Sequence, residues 1–99
     1  MKSGYKILWT ANALKELDDS INYLENNFSI KELIQLANKI ENVSELISKN
    51  PNIFPISKQN NVHRVVILRY NTMYYKVKSD NIIILSFFSN RQSTKRKKL

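Results

Sequence analysis

The residues with which this chain can do chemistry are its cations. Arg64, Arg69, Lys76, Arg91, Lys95, Arg96, Lys97 and Lys98 all fall in the second half, where from residue 49 onward eleven Lys or Arg stand against one acid, Asp80. Clustered cations with few carboxylates among them form a footprint for a polyanion or an acidic partner. Arg64 and Arg91 can bind phosphate, bind an acidic segment, or solvate an exposed edge. Lys95, Arg96, Lys97 and Lys98 taken alone read as a solubilising tail; inside this charge field they read equally as a binding element. His63 is the only histidine, and its intrinsic pKa suits proton transfer. On an alternating strand, however, it points away from Arg64, so it reads first as a structural or surface residue. Tyr74 and Tyr75 can stack on bases, but as strand formers they read first as packing. Trp9 reads as an anchor between the first strand and the helices.

Composition narrows the chemistry further. The chain has 99 residues, a net charge of +8 and no cysteine. The missing cysteine removes disulfides, thiolate metal sites and a thiol nucleophile together. One histidine and scattered carboxylates do not make a metal site, so neither metal nor cofactor is expected. The length predicts one domain, 1–99, with a basic tail from about 91. No secretory core follows Met1–Lys6, and the longest apolar run, Ile82–Leu85, is too short to span a bilayer. A soluble, cytoplasmic protein with no membrane partner is expected.

These residues must be positioned by a small set of elements. Tyr5 to Trp9 reads as a strand, and Thr10 as the cap of a helix whose stripe is Leu14, Leu17, Ile21, Leu24 and Phe28, ending at Asn26-Asn27. Glu16, Asp18, Asp19 and Glu25 lie off that stripe and should be wet. Ser29-Ile30-Lys31-Glu32 has capping-box spacing. A second helix then runs to about Ser48, with Ile30, Leu33, Ala37, Ile40 and Ile47 apolar and Leu36, Val43 and Leu46 widening the face. Asn50-Pro51 stops it, and an irregular link reaches about Asn61. Val62–Arg69 and Thr72–Lys78 alternate around a turn at Tyr70-Asn71. After Ser79-Asp80-Asn81, Ile82–Phe88 is apolar on both faces and belongs inside a sheet. The predicted fold is α+β, in the order β-α-α-β-β-β. A helical hairpin packs on one face of an antiparallel sheet and leaves the other face as the working surface.

That order carries a set of local patterns. They are Trp9-Thr10-x-x-Ala13-x-x-x-Leu17-x-x-Ile21-x-Tyr23-Leu24, then Asn50-Pro51-x-x-Phe54-Pro55, then Val62-x-Arg64-x-Val66. Met73-Tyr74-Tyr75-Lys76-Val77, Ile82-Ile83-Ile84-Leu85 and Phe87-Phe88-x-Asn90-Arg91-Gln92 with a basic tail complete it. Together they span nearly the whole chain and resemble the RelE/ParE toxin superfamily. The resemblance implies the toxin of a type II toxin–antitoxin system, which arrests growth and is silenced by a cognate antitoxin protein. One branch cleaves messenger RNA in the ribosomal decoding site; another poisons DNA gyrase.

In the nuclease branch, lysines and arginines on the sheet and a C-terminal aromatic supply the chemistry, without a metal. Arg64 matches a basic position on the first strand of the meander, and Arg91 matches the arginine just after the last strand. They are the catalytic candidates if the chain is a ribonuclease. Thr72, however, stands where the nucleases carry an arginine, and Ser93 to Lys98 holds no aromatic or histidine. Those departures resemble the gyrase-inhibiting branch more. A ribosome-dependent endoribonuclease and an inactive nucleic-acid- or antitoxin-binding module are the alternatives. In each case Arg64, Arg69, Lys76, Arg91 and the cations of the tail are the expected contacts.

Overall fold

A computed structural model describes residues 4–89. Its elements are β1 (Lys6–Trp9), α1 (Ala11–Asn27), α2 (Ile30–Lys49), β2 (Ile56–Ser57), β3 (Val62–Ile67), β4 (Asn71–Lys78) and β5 (Asn81–Ser89). One sheet runs in the order β1-β5-β4-β3-β2. The expected elements are all there, and two features add to them. Ile56 and Ser57, expected in an irregular link, pair with His63 and Val62 as a short edge strand. β1 lies parallel to β5, with Leu8 opposite Ile83, so the sheet is mixed and not wholly antiparallel. β5 therefore has a partner on both edges, and its two apolar faces fit that interior place.

The first strand of the meander is shorter than its alternation implied. It ends at Ile67, because Leu68 and Arg69 take positive φ values of 54° and 77°. The turn is thus Leu68-Arg69-Tyr70, and Asn71 already pairs with Ile67 and Ser89.

Both helices lie over the face formed by Val65, Ile67, Met73, Tyr75, Ile82, Ile84 and Phe87; Ala13, Leu24, Leu36, Val43 and Ile47 complete the core from the helical side. The helical stripes are rotated from their predicted centres. Leu14 is 50% exposed, whereas Ala13 and Ser20 are buried. Leu36 and Val43, expected only to widen the second stripe, are its buried centre, while Ile30 and Ala37 are exposed. Small residues turned toward the sheet let the α1 axis approach β5, and the larger apolar side chains are left at the flanks.

The N-terminal part of α1 is fastened to β5 by side chains. The Thr10 hydroxyl accepts from the Ala13 N–H at 3.1 Å, capping the helix, and donates to the Ile84 carbonyl at 2.8 Å. Opposite β4, the register shifts between Tyr74, paired with Ser86, and Tyr75, paired with Ile84, which leaves Leu85 as the extra residue of a bulge. Asn12 donates its amide to the Leu85 carbonyl at 3.2 Å. Glu16 accepts from the Phe87 N–H at 2.9 Å and from the Ser86 hydroxyl at 2.7 Å. Glu16 is therefore half-buried and structural, not the wet residue its helical position implied. At the other helix start, Ser29 and Glu32 close the expected capping box, and the Glu32 carboxylate accepts from the Ser29 N–H at 3.1 Å.

Candidate binding face

Among the described residues, no element packs over the face opposite the helices. β3 turns Arg64 and Val66 to it, β4 turns Thr72, Tyr74 and Lys76, and β1 turns Leu8. Arg64 and Tyr74 are direct cross-strand partners, and Lys76 is diagonal to Arg64 on the same face. In the next row Val66 faces Thr72, and Thr72 faces Phe88. None of the residues in the five strands is Asp or Glu; of the described acids all but Asp80 stand on the helices. The result is a sheet surface with cations, exposed apolar side chains and no carboxylate from its own strands. Val66 is 52% exposed, and Leu8 and Phe88 are exposed as well.

Arg64 sits beside a groove of about 340 Å³ whose walls include Pro55, Ile56, Asn60, Val62 and Tyr74. The groove is held in shape from below. The Arg64 N–H donates to the Pro55 carbonyl at 3.0 Å, and His63 Nδ1 lies 3.0 Å from the Phe54 carbonyl. His63 is buried on the helical side, pointing away from Arg64 as its alternation predicts, and its ring stacks on Tyr75 at 4.7 Å and 8°. The Tyr75 hydroxyl donates to the Pro51 carbonyl at 2.8 Å. Burial pushes that hydroxyl up to about 12. His63 and Tyr75 thus pin the segment after α2 to the sheet and leave Arg64 and Tyr74 free on the outer side.

The predicted contact residues separate into three places. Arg64 and Lys76 share the open face. Arg69 does not join them. It lies in the β3–β4 turn, 6.0 Å from the Tyr70 ring, beside a different cavity bounded by the helices. Arg91, Lys95, Arg96, Lys97 and Lys98 lie outside the described residues. Of two polar residues important to the geometry, Glu16 was expected to be wet and Ser20 was not singled out from the sequence. For Ser20 a signal exists: it stands three residues after Leu17 and four before Leu24, inside the buried stripe. Among the described residues no three potential ligands of a metal ion converge. No helix among them is long and apolar enough to cross a membrane.

In overall shape the chain is similar to one from the chromosomal ParDE TA system of P. aeruginosa. The TM-score is 0.70 at 17% identity, over 86% of this chain and 95% of the other. This is the RelE/ParE fold. A second likeness is to the conserved hypothetical protein HP0894 from Helicobacter pylori, with a TM-score of 0.55 at 20% identity, over 88% of this chain and 96% of that one. No family model matches the sequence, and no curated protein matches it. The RelE/ParE likeness is therefore carried by element order and backbone path.

Proposed function

We propose that this chain is the toxin of a type II toxin–antitoxin pair, neutralised by a cognate antitoxin that covers the cationic sheet face. The observation that carries this reading is the acid-free strand surface around Arg64, Tyr74 and Lys76. It is displayed on a fold shared over most of its length with a ParDE chain. A partner for that surface must be acidic and also apolar, because Val66 and Phe88 are exposed beside the cations. An acidic antitoxin segment that orders on binding meets both demands. In this reading residues 1–99 form one toxin domain whose basic tail, from about 91, adds Arg91, Lys95, Arg96, Lys97 and Lys98 to the contact. The protein works in the cytoplasm, without a cofactor or a metal.

As target we favour DNA gyrase over messenger RNA on the ribosome. Thr72 supports the preference. Itself buried between Val66 and Phe88, it leaves the row on that side of Arg64 without a cation, while Lys76 stands diagonal to Arg64 on the other side. Phosphoryl-transfer chemistry on RNA needs several convergent charges to hold the transition state. Arg64 and Arg91 remain the catalytic pair of the nuclease alternative.

The test is controlled expression of the chain with and without its neighbouring gene, with DNA supercoiling and messenger integrity read separately. Growth arrest with altered supercoiling and intact transcripts, relieved by the neighbour, is the expected result. Cleaved transcripts, abolished by Arg64→Ala, would replace gyrase with the ribosome. Unimpaired growth at confirmed soluble expression would remove the toxin reading.

A further inference from the structure

A second cavity, on the other side of the sheet, opens where the β3–β4 turn meets the two helices. About 200 Å³ in volume, it is lined by Ser20 and Tyr23 from α1, Glu32 and Gln35 from α2, Arg69 and Asn71 from the turn and strand start, and Ser89 from the end of β5, with Leu24, Leu36 and Leu68 as its apolar wall. Of the five buried polar residues among those described, three line this one cavity: Ser20 at 3%, Asn71 at 8% and Ser89 at 9% exposure. The Ser20 hydroxyl has no hydrogen-bond partner. A buried polar atom left in that state is rare in a native protein and is met by a water, an ion or a ligand. The backbone alongside is strained too. Leu68 and Arg69 both have positive φ, and the Tyr70 N–H reaches back to the Leu68 carbonyl at 2.8 Å. That bond makes Arg69 the centre of a γ-turn with positive φ, the rarer and more strained of the two forms. Strain and an unmet polar group gathered at one place mark a ligand site.

We propose that this cavity binds a single nucleobase, with the attached phosphate on Arg69. Hydroxyls and side-chain amides both donate and accept. Ser20, Asn71 and Ser89 therefore match a neutral planar edge that also does both, which is what a base presents. The Glu32 carboxylate in the same lining only accepts, so it opposes an acidic group inside the cavity and suits the amino or imino N–H of a base. Tyr23 and Tyr70 supply aromatic surface for the ring. Arg69, at the rim, is the cation within reach of a phosphate. The base can belong to a free nucleotide or to a single strand. This site is separate from the open face and does not rest on the toxin reading.

Titration of the full chain, labelled with nitrogen-15, tests the proposal. The ligands are the four nucleoside 5′-monophosphates, the matching nucleosides, and a hexanucleotide RNA. Saturable shifts of the Ser20, Tyr70, Asn71 and Ser89 amides are expected. Ser20→Ala should weaken binding by about tenfold, as expected for a lost hydrogen bond. Because the hydroxyl has no partner in the free protein, the variant should melt no lower than the parent, which guards against misfolding. Arg69→Ala should weaken the nucleotide and spare the nucleoside. Tighter binding of the hexanucleotide than of any monophosphate assigns the base to a strand; the reverse assigns it to a free nucleotide. The proposal is overturned if millimolar nucleotides leave those amides unmoved, if shifts appear only around Arg64 and Tyr74, or if an acidic peptide fills the cavity while nucleotides do not.

Discussion

Tyr75 illustrates how a single side chain couples the support of the binding face to pH. Its raised pKa, about 12, follows from burial. A tyrosine whose folded pKa lies above its unfolded value of about 10 adds stability that is complete below pH 10 and fades as pH rises toward 12. Urea unfolding at pH 8, 10 and 11 should therefore show a falling midpoint. Tyr75→Phe should flatten the fall while losing, at pH 8, about 1 kcal/mol with the Pro51 hydrogen bond. Arg64 behaves differently because it is exposed and bears on the partner, not the fold. If an antitoxin covers the open face as proposed, Arg64→Ala should leave the melting temperature unchanged and weaken its affinity about tenfold, as measured by calorimetry at fixed salt. The opposed directions of His63 and Arg64 were legible from strand alternation alone. The place of Arg69 was not. Its type fits a strand end, and nothing in the local pattern announces two consecutive left-handed residues without a glycine.

At the scale of elements, the sequence determines which residues are helical or extended more firmly than which way each element faces. The capping threonine, the capping box, the stop at Asn50-Pro51 and the three strands of the meander follow their patterns, save that the first of those strands ends two residues early. The rotation of α1 does not follow from its own hydrophobicity, because Ala13 and Ser20 face the sheet for their size. The bulge on β5 is equally hidden, and with it the role of Glu16, since only tertiary structure brings that carboxylate to the Phe87 N–H. Glu16→Ala should cost about 1–3 kcal/mol in chemical denaturation, the penalty for stranding a part-buried donor. Glu16→Gln should recover much of it, as its amide oxygen still accepts. The β3–β4 turn makes the opposite prediction. Arg69→Gly should raise stability by up to about 1 kcal/mol, because glycine adopts positive φ without the penalty an L side chain meets. The same urea midpoint reads both.

For the whole molecule the decisive feature is where the carboxylates stand: among the described residues every acid but Asp80 is on a helix, while lysines and arginines occur on helices and strands alike. The lopsided charge of the two sequence halves announced it, and the topology explains it, because the acidic half supplies both helices and the basic half supplies four of the five strands. If the partner binds through phosphates, log affinity should fall linearly and steeply with log salt, and neutralising Arg64 should make that slope shallower by about one unit. Affinity that ignores salt would place the binding energy in Val66, Phe88 and their neighbours instead.

The parallel pairing of β1 with β5 has a consequence for how the protein is made. Thr10, at the end of β1, is hydrogen-bonded to Ile84, 74 positions later. During synthesis the first strand leaves the ribosome and waits, without its only neighbour in the sheet, until nearly all the rest has followed. Contacts so distant along the chain form slowly and late. A nascent copy therefore lacks the complete five-stranded sheet throughout elongation, and the sheet closes only when β5 is free to dock between β1 and β4.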